Sequence, residues 1–308
     1  MCIKERNASD STCKKLLRDK GCFADLCNYA FFQGRQVIQP EELVSRENDL
    51  STLIGKVDKP TEIKRYRDVV RKASIHGEYV IIGVEHQRTF DEKMIFRILN
   101  YDATIYINQV ESKQEIYPVG SFVFYTGDKE WKSPETLKET LKNIPSEMEP
   151  YINDWRLPVV ELKTMDARKL TNQRLKEVVE ISQSMFAGNY DGLRNNRKIE
   201  TESFMMAATF TRTKIKREDL PEGDEINMCE AMDRLFQRFE NQGMEKGKII
   251  GFEKGKSDTL KEQLKVKLGT LSRPLEKHLT NTSLEKLNEL TLNIFNVTSE
   301  EDVLRIIN

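Results

Sequence analysis

At 308 residues the chain is long enough for about two domains of ordinary size, and with 38% hydrophobic and 32% charged residues it is too apolar to be a disordered polymer. Lys and Arg total 49 against 50 Asp and Glu, a formal net charge of −1, which excludes a global electrostatic pull toward nucleic acid and leaves DNA affinity to local patches. No stretch approaches the roughly 20 apolar residues of a membrane-spanning helix, the N-terminus lacks the apolar core of a secretion signal, and the five cysteines show no CxxC spacing, so a cytoplasmic protein with reduced thiols and no membrane partner is expected.

In chain order, CFADLCNYAFF (residues 22–32) carries apolar residues at three- and four-residue spacing, which predicts an amphipathic helix ending near Gly34. Residues 45–64 are polar, include Gly55 and Pro60, and read as a connector. A short strand is predicted over Arg67 to Ala73, a turn at His76 and Gly77, and a second strand, YVIIGV, at residues 79–84, apolar on both faces like a central strand covered by helices. Phe90 to Val110 suits a long helix against that strand, and the segments at 118–127 and 157–163 read as two further buried strands. Helix, strands, helix, strand and strand make an α/β core.

Beyond Lys163 strand signals disappear. Segments 167–185, 228–255 and 257–278 read as helices, and Pro221 and Gly223 mark a break that places a domain boundary near residue 220, giving domains 1–220 and 221–308. Gly243, Gly247, Gly251 and Gly255 recur every four residues on one helical stripe, so this Gly-x3-Gly segment is either closely packed against another backbone or pliable.

The chemistry concentrates at the end of YVIIGV. Glu85 and Gln87 stand two residues apart in an extended segment and so face the same way, with His86 pointing to the other side. If the strand carrying Asp68 is adjacent, its carboxylate reaches the same pocket. Two carboxylates with backbone carbonyls and waters suit a hard divalent ion such as Mg²⁺, with open positions for phosphate oxygens. The makings of a nuclease site are present, with Gln87 to orient a water or contact the phosphate. The plain alternative is that carboxylates in a chain holding 50 of them are surface residues. The two basic runs, Lys64, Arg65, Arg67, Arg71 and Lys72, and Arg194, Arg197 and Lys198, read first as solvated faces.

FADLCNYAFFQGRQVIQPEEL, then YRDVVRKA, YVIIGVEHQ and MIFRILNYDA, in that order between Phe23 and Leu162, resemble the Rpn family of recombination-promoting nucleases, also labelled PD-(D/E)XK nuclease family transposases. The resemblance implies a restriction-endonuclease-like PD-(D/E)XK core, a central mixed sheet flanked by helices, followed by a helical C-terminal region. It further implies Mg²⁺-dependent cleavage of DNA phosphodiesters, linked to recombination or mobile elements. On this resemblance Asp68 is the first catalytic acid and metal ligand, Glu85 the second, and Gln87 stands where the wider superfamily has lysine.

Asp25 on the first predicted helix is a candidate additional acid, against the plainer roles of exposed helical Asp or cap-like acceptor. Arg97, one turn before Tyr101, is a candidate DNA-backbone contact, against a helix-packing pair. The expected function is thus a Mg²⁺-dependent DNA endonuclease with little base specificity, whose C-terminal helices assist DNA binding or self-association into a homo-oligomer. The alternatives are a catalytically silent, transposase-derived DNA-binding protein and a protein-interaction module built on the helical third.

Overall fold

In the computed structural model, which describes residues 3–44, 69–113 and 115–308, the sheet is organised by one tight turn. Strand β1 (Val69–Ile75) runs antiparallel to β2 (Glu78–Gln87) from Val69↔Val84 to Ile75↔Glu78. The two linking residues, His76 and Gly77, have φ values of 52° and 88°. Two successive positive φ angles give a hairpin loop whose twist matches that of the strands, and glycine adopts its share without steric cost. From β2 the chain enters helix α3 (Met94–Glu111), after α1 (Ile3–Arg18) and α2 (Lys20–Phe32). It returns as β3 (Val119–Tyr125), parallel to β2, and later as β4 (Val159–Glu161), parallel to β3. The result is a mixed four-stranded sheet in the order β1-β2-β3-β4.

Strand alternation explains why β2 is apolar on both faces. Ile82 and Val84 point into a core shared with Leu16 and Leu17 of α1, Phe23 and Leu26 of α2, Val178 of α4 (Gln173–Phe186) and Phe210 of α5 (Thr201–Thr211). On the opposite face Ile81 meets Ile105 of α3, and Val123 and Tyr125 of β3 meet Met94, Ile95 and Ile98. Helices therefore flank the sheet on both sides.

Two features depart from the sequence reading. A two-stranded sheet, β5 (Lys198–Glu200) with β6 (Glu225–Asn227), lies in the region expected to be purely helical. Strands of three residues are too short to show an alternation. The chain divides into two compact units, Met1–Asp233 and Arg234–Asn308.

Helix α6 (Met228–Leu268) continues through Gly255 and Ser257, where two separate helices are predicted. The second unit then adds α7 (Arg273–Thr280), α8 (Leu284–Asn293) and α9 (Glu300–Ile307), capped by Ser272, Ser283 and Ser299 through their side-chain oxygens. Leu260, Leu264, Leu275, Leu279, Leu287, Leu290 and Val303 form its core. Among the described residues no helix is long and apolar enough to cross a membrane.

The four stripe glycines are exposed in α6, and a Cβ built on any of them meets nothing within 4 Å. Close packing against the described residues of this chain is therefore not their role, which leaves a pliable segment or a contact with a second copy. Gly→Ala at positions 247 and 251 is expected to stabilise the helix by about 1 kcal/mol each. Slower amide exchange across the stripe would register it, and unchanged exchange would contradict it.

Candidate functional site

The site is built where β2 leaves the sheet. Glu85, Gln87 and their register partners Val123 and Tyr125 alternate onto the α3 face, while His86 falls on the other side. Glu85 is only 5% exposed, and its Oε1 accepts from Gln87 Nε2 at 3.2 Å and from Arg97 Nη2 at 2.8 Å. The expected common orientation of Glu85 and Gln87 is thus realised as a direct hydrogen bond. Arg97 reaches Glu85 from the first turns of α3, donating through Nη1 to Asp91 Oδ2 at 3.1 Å and through Nε to the Tyr101 hydroxyl at 3.4 Å.

Burial works against the Arg97 charge, but the Tyr101 hydrogen bond and the Glu85 and Asp91 carboxylates outweigh it and hold the guanidinium pKa above its ordinary value. A buried carboxylate is costly unless paired, and this arginine is its partner. Helix α3 thereby does two jobs. Its apolar stripe of Met94, Ile95 and Ile98 covers the sheet, and its solvent-side edge delivers a cation to the strand end.

His86 is a packed residue. Its Nδ1 lies 3.0 Å from Asp10 Oδ1 and its Nε2 2.8 Å from Thr126 Oγ1, with the Phe124 and Phe210 rings against it. Asp25 is also set apart from Glu85, because α2 packs on the Val84 side of the sheet. Buried to 2% exposure, Asp25 accepts from the backbone N–H groups of Thr171 and Asn172, both at 2.8 Å, from Thr171 Oγ1 at 3.2 Å and from Gln36 Nε2 at 3.0 Å. Asn172 caps α4, so the carboxylate fastens α2 to a helix N-terminus where negative charge is favoured. Neither plain reading of Asp25 holds, since it is buried rather than exposed and accepts from backbone 146 and 147 residues away rather than from nearby backbone.

Asp68 lies outside the described residues, as do Lys64, Arg65 and Arg67. Four described members of the basic runs are engaged within the chain. Arg71 donates to the carbonyls of Leu17 and Arg18 at the end of α1, and Lys72 sits over the Tyr79 and Tyr117 rings. Arg194 pairs with Asp233, and Arg197 with Glu180 and Glu177.

Asp91 is the site residue that sequence reasoning missed. It precedes α3 and, by accepting from Lys93 N at 3.0 Å, turns the chain into that helix beside Arg97. An acidic residue six positions before an arginine at a helix start was the available signal.

Residues 61–209 match the profile of a family described as "Putative transposase, YhgA-like". This segment belongs to the YhgA-like transposase family, part of the Rpn and PD-(D/E)XK transposase-like group. The YhgA-like segment holds all four strands of the main sheet, α3, and each of Glu85, Gln87, Asp91 and Arg97. No curated protein and no solved structure matches the chain.

Proposed function

We propose that this chain is a DNA endonuclease with a PD-(D/E)XK-type core, dependent on Mg²⁺ or another divalent cation, in which Asp68 and Glu85 are the metal-binding acids and Gln87 serves beside them. The observation that carries the reading is the buried Glu85–Gln87 pair, with Arg97 donating to Glu85, at the carboxyl end of a central strand in a transposase-family segment. Val69, the residue that follows Asp68 in the sequence, pairs with Val84, the residue before Glu85.

The donor chemistry fits a hard cation, since Glu85, Asp91 and the Gln87 amide offer oxygen and neither sulfur nor imidazole. Among the described residues no group of three or more His, Cys, Asp or Glu is assembled around one point. Magnesium sites commonly use one or two carboxylates, with waters and substrate phosphate completing the shell, so Glu85 and Asp68 together meet that need. When bound, the cation lowers the pKa of a coordinated water and offsets charge on the phosphate. The protein's own part is to fix Glu85, to donate or accept a hydrogen bond from the Gln87 amide, and to hold positive charge on Arg97. An amide orients a water but adds no charge, so a modest catalyst is expected.

A second reading, a catalytically silent DNA-binding protein of mobile-element origin, is favoured by the ion pair that already satisfies Glu85 Oε1. Incubating supercoiled plasmid with the protein separates the two. Nicked circles in Mg²⁺ and none in EDTA support the nuclease. DNA binding that weakens steeply with salt, without nicking in Mg²⁺ or Mn²⁺, would replace the nuclease by the silent binder.

A further inference from the structure

The Glu85–Gln87 pair brings one negative charge and no positive charge to the site, and cleavage of a phosphodiester develops further negative charge on the phosphate oxygens. A cation supplied from elsewhere in the fold would offset that charge alongside any bound metal. Arg97 is the basic residue that the geometry delivers. Its Nη2 lies 2.8 Å from Glu85 Oε1, the same oxygen that accepts from Gln87 at 3.2 Å. Its second terminal nitrogen is held by Asp91 at 3.1 Å and its Nε by Tyr101 at 3.4 Å, so the planar head is fixed through all three of its nitrogens. The Arg97 side chain is nevertheless 36% exposed and Asp91 31%, whereas Glu85 is 5% exposed. The arginine is thus partly open to solvent while it contacts a buried carboxylate.

A divalent cation and a guanidinium compete for the same oxygen of Glu85. Resting on the nuclease reading, we propose that Arg97 is a two-position residue. Without metal it is the counter-ion that keeps Glu85 charged and buried. When a divalent cation takes Glu85, Arg97 stays tethered to Asp91 and turns its freed Nη2 to the scissile phosphate, supplying the charge that Gln87 lacks. A guanidinium suits this exchange because it presents several donors in a rigid fork and binds carboxylate and phosphate with the same geometry. Asp91 is then a positioning residue that keeps the head within reach of both stations.

The first test needs no turnover. Mn²⁺ binding to the folded protein, followed by the loss of the free-ion signal in electron paramagnetic resonance, is expected to tighten about tenfold in Arg97→Gln, where the competitor is gone, a free-energy change of about 1.4 kcal/mol. Unchanged Mn²⁺ affinity in that variant overturns the first position. The second test is plasmid nicking. Arg97→Gln is expected to lose about 100-fold in rate at saturating DNA, with millimolar guanidinium restoring part of it and Arg97→Lys falling between. Full activity in Arg97→Gln overturns the second position. If Arg97→Gln does not fold, Arg97→Lys carries both tests, with tighter Mn²⁺ binding and slower nicking expected and wild-type values in either overturning that position. A wild-type protein that nicks nothing removes the nuclease reading and with it the phosphate position, while the Mn²⁺ comparison still decides whether Arg97 guards Glu85.

Discussion

Asp25→Ala is expected to lower the unfolding free energy by about 2 kcal/mol, because it removes the acceptor of the part-buried N–H groups of Thr171 and Asn172 at the start of α4, each of which costs about 1 kcal/mol at the low end of the range for an unsatisfied group. The change also cuts the fastening between α2 and α4, two of the helices that cover the Val84 face of the sheet. Asp25→Asn, which keeps one acceptor oxygen and loses the charge that favours the helix N-terminus, is expected to cost about half as much. Urea unfolding followed by circular dichroism measures both. A loss below about 1 kcal/mol for the alanine variant would show that the N–H groups find other partners. The same carboxylate bears on function, because a structural Asp25 predicts that any Asp25→Asn protein that stays folded still cuts DNA.

The second large effect is on catalysis. Glu85→Ala is expected to reduce metal-dependent nicking by at least about 100-fold, the scale on which removal of a preorganised electrostatic group slows reactions of this kind. Stability should fall much less, since Arg97 keeps Asp91 and Tyr101 as partners and is itself partly solvated. Glu85→Gln retains the size of the side chain and an acceptor for Gln87 but lacks the charge that a divalent cation needs. It is expected to be as inactive as the alanine variant while melting close to the wild type. Activity in Glu85→Gln would point to a hydrogen-bonding role in place of metal binding.

The α/β core was legible because its signals are local. The continuous apolar run YVIIGV, the His76–Gly77 turn and the long apolar stripe of α3 each declare an element within about ten residues. The common orientation of Glu85 and Gln87 followed from strand period alone and reappears as their hydrogen bond. What sequence could not show depends on pairing at a distance. Asp25 is read as an acid of uncertain purpose until Thr171 and Asn172 are seen to close on it from 146 and 147 residues away. The pairing of Arg97 with Glu85 also becomes visible only when α3 folds back and sets the guanidinium on that carboxylate. The basic runs likewise gave no hint that Arg71 would spend its donors on the carbonyls ending α1, or Arg197 on Glu177 and Glu180. Strands β5 and β6 escaped for a related reason, since three residues carry no period and only their mutual pairing defines them.

The measurement that tests the central claim most directly is the rate of nicking of supercoiled plasmid in Mg²⁺ by the wild type, Asp68→Ala and Glu85→Ala, each shown to be folded. Metal-dependent nicking by the wild type, reduced at least about 100-fold in both variants, is the predicted result. Nicking at the wild-type rate in both would contradict the placement of the catalytic acids at the end of β2.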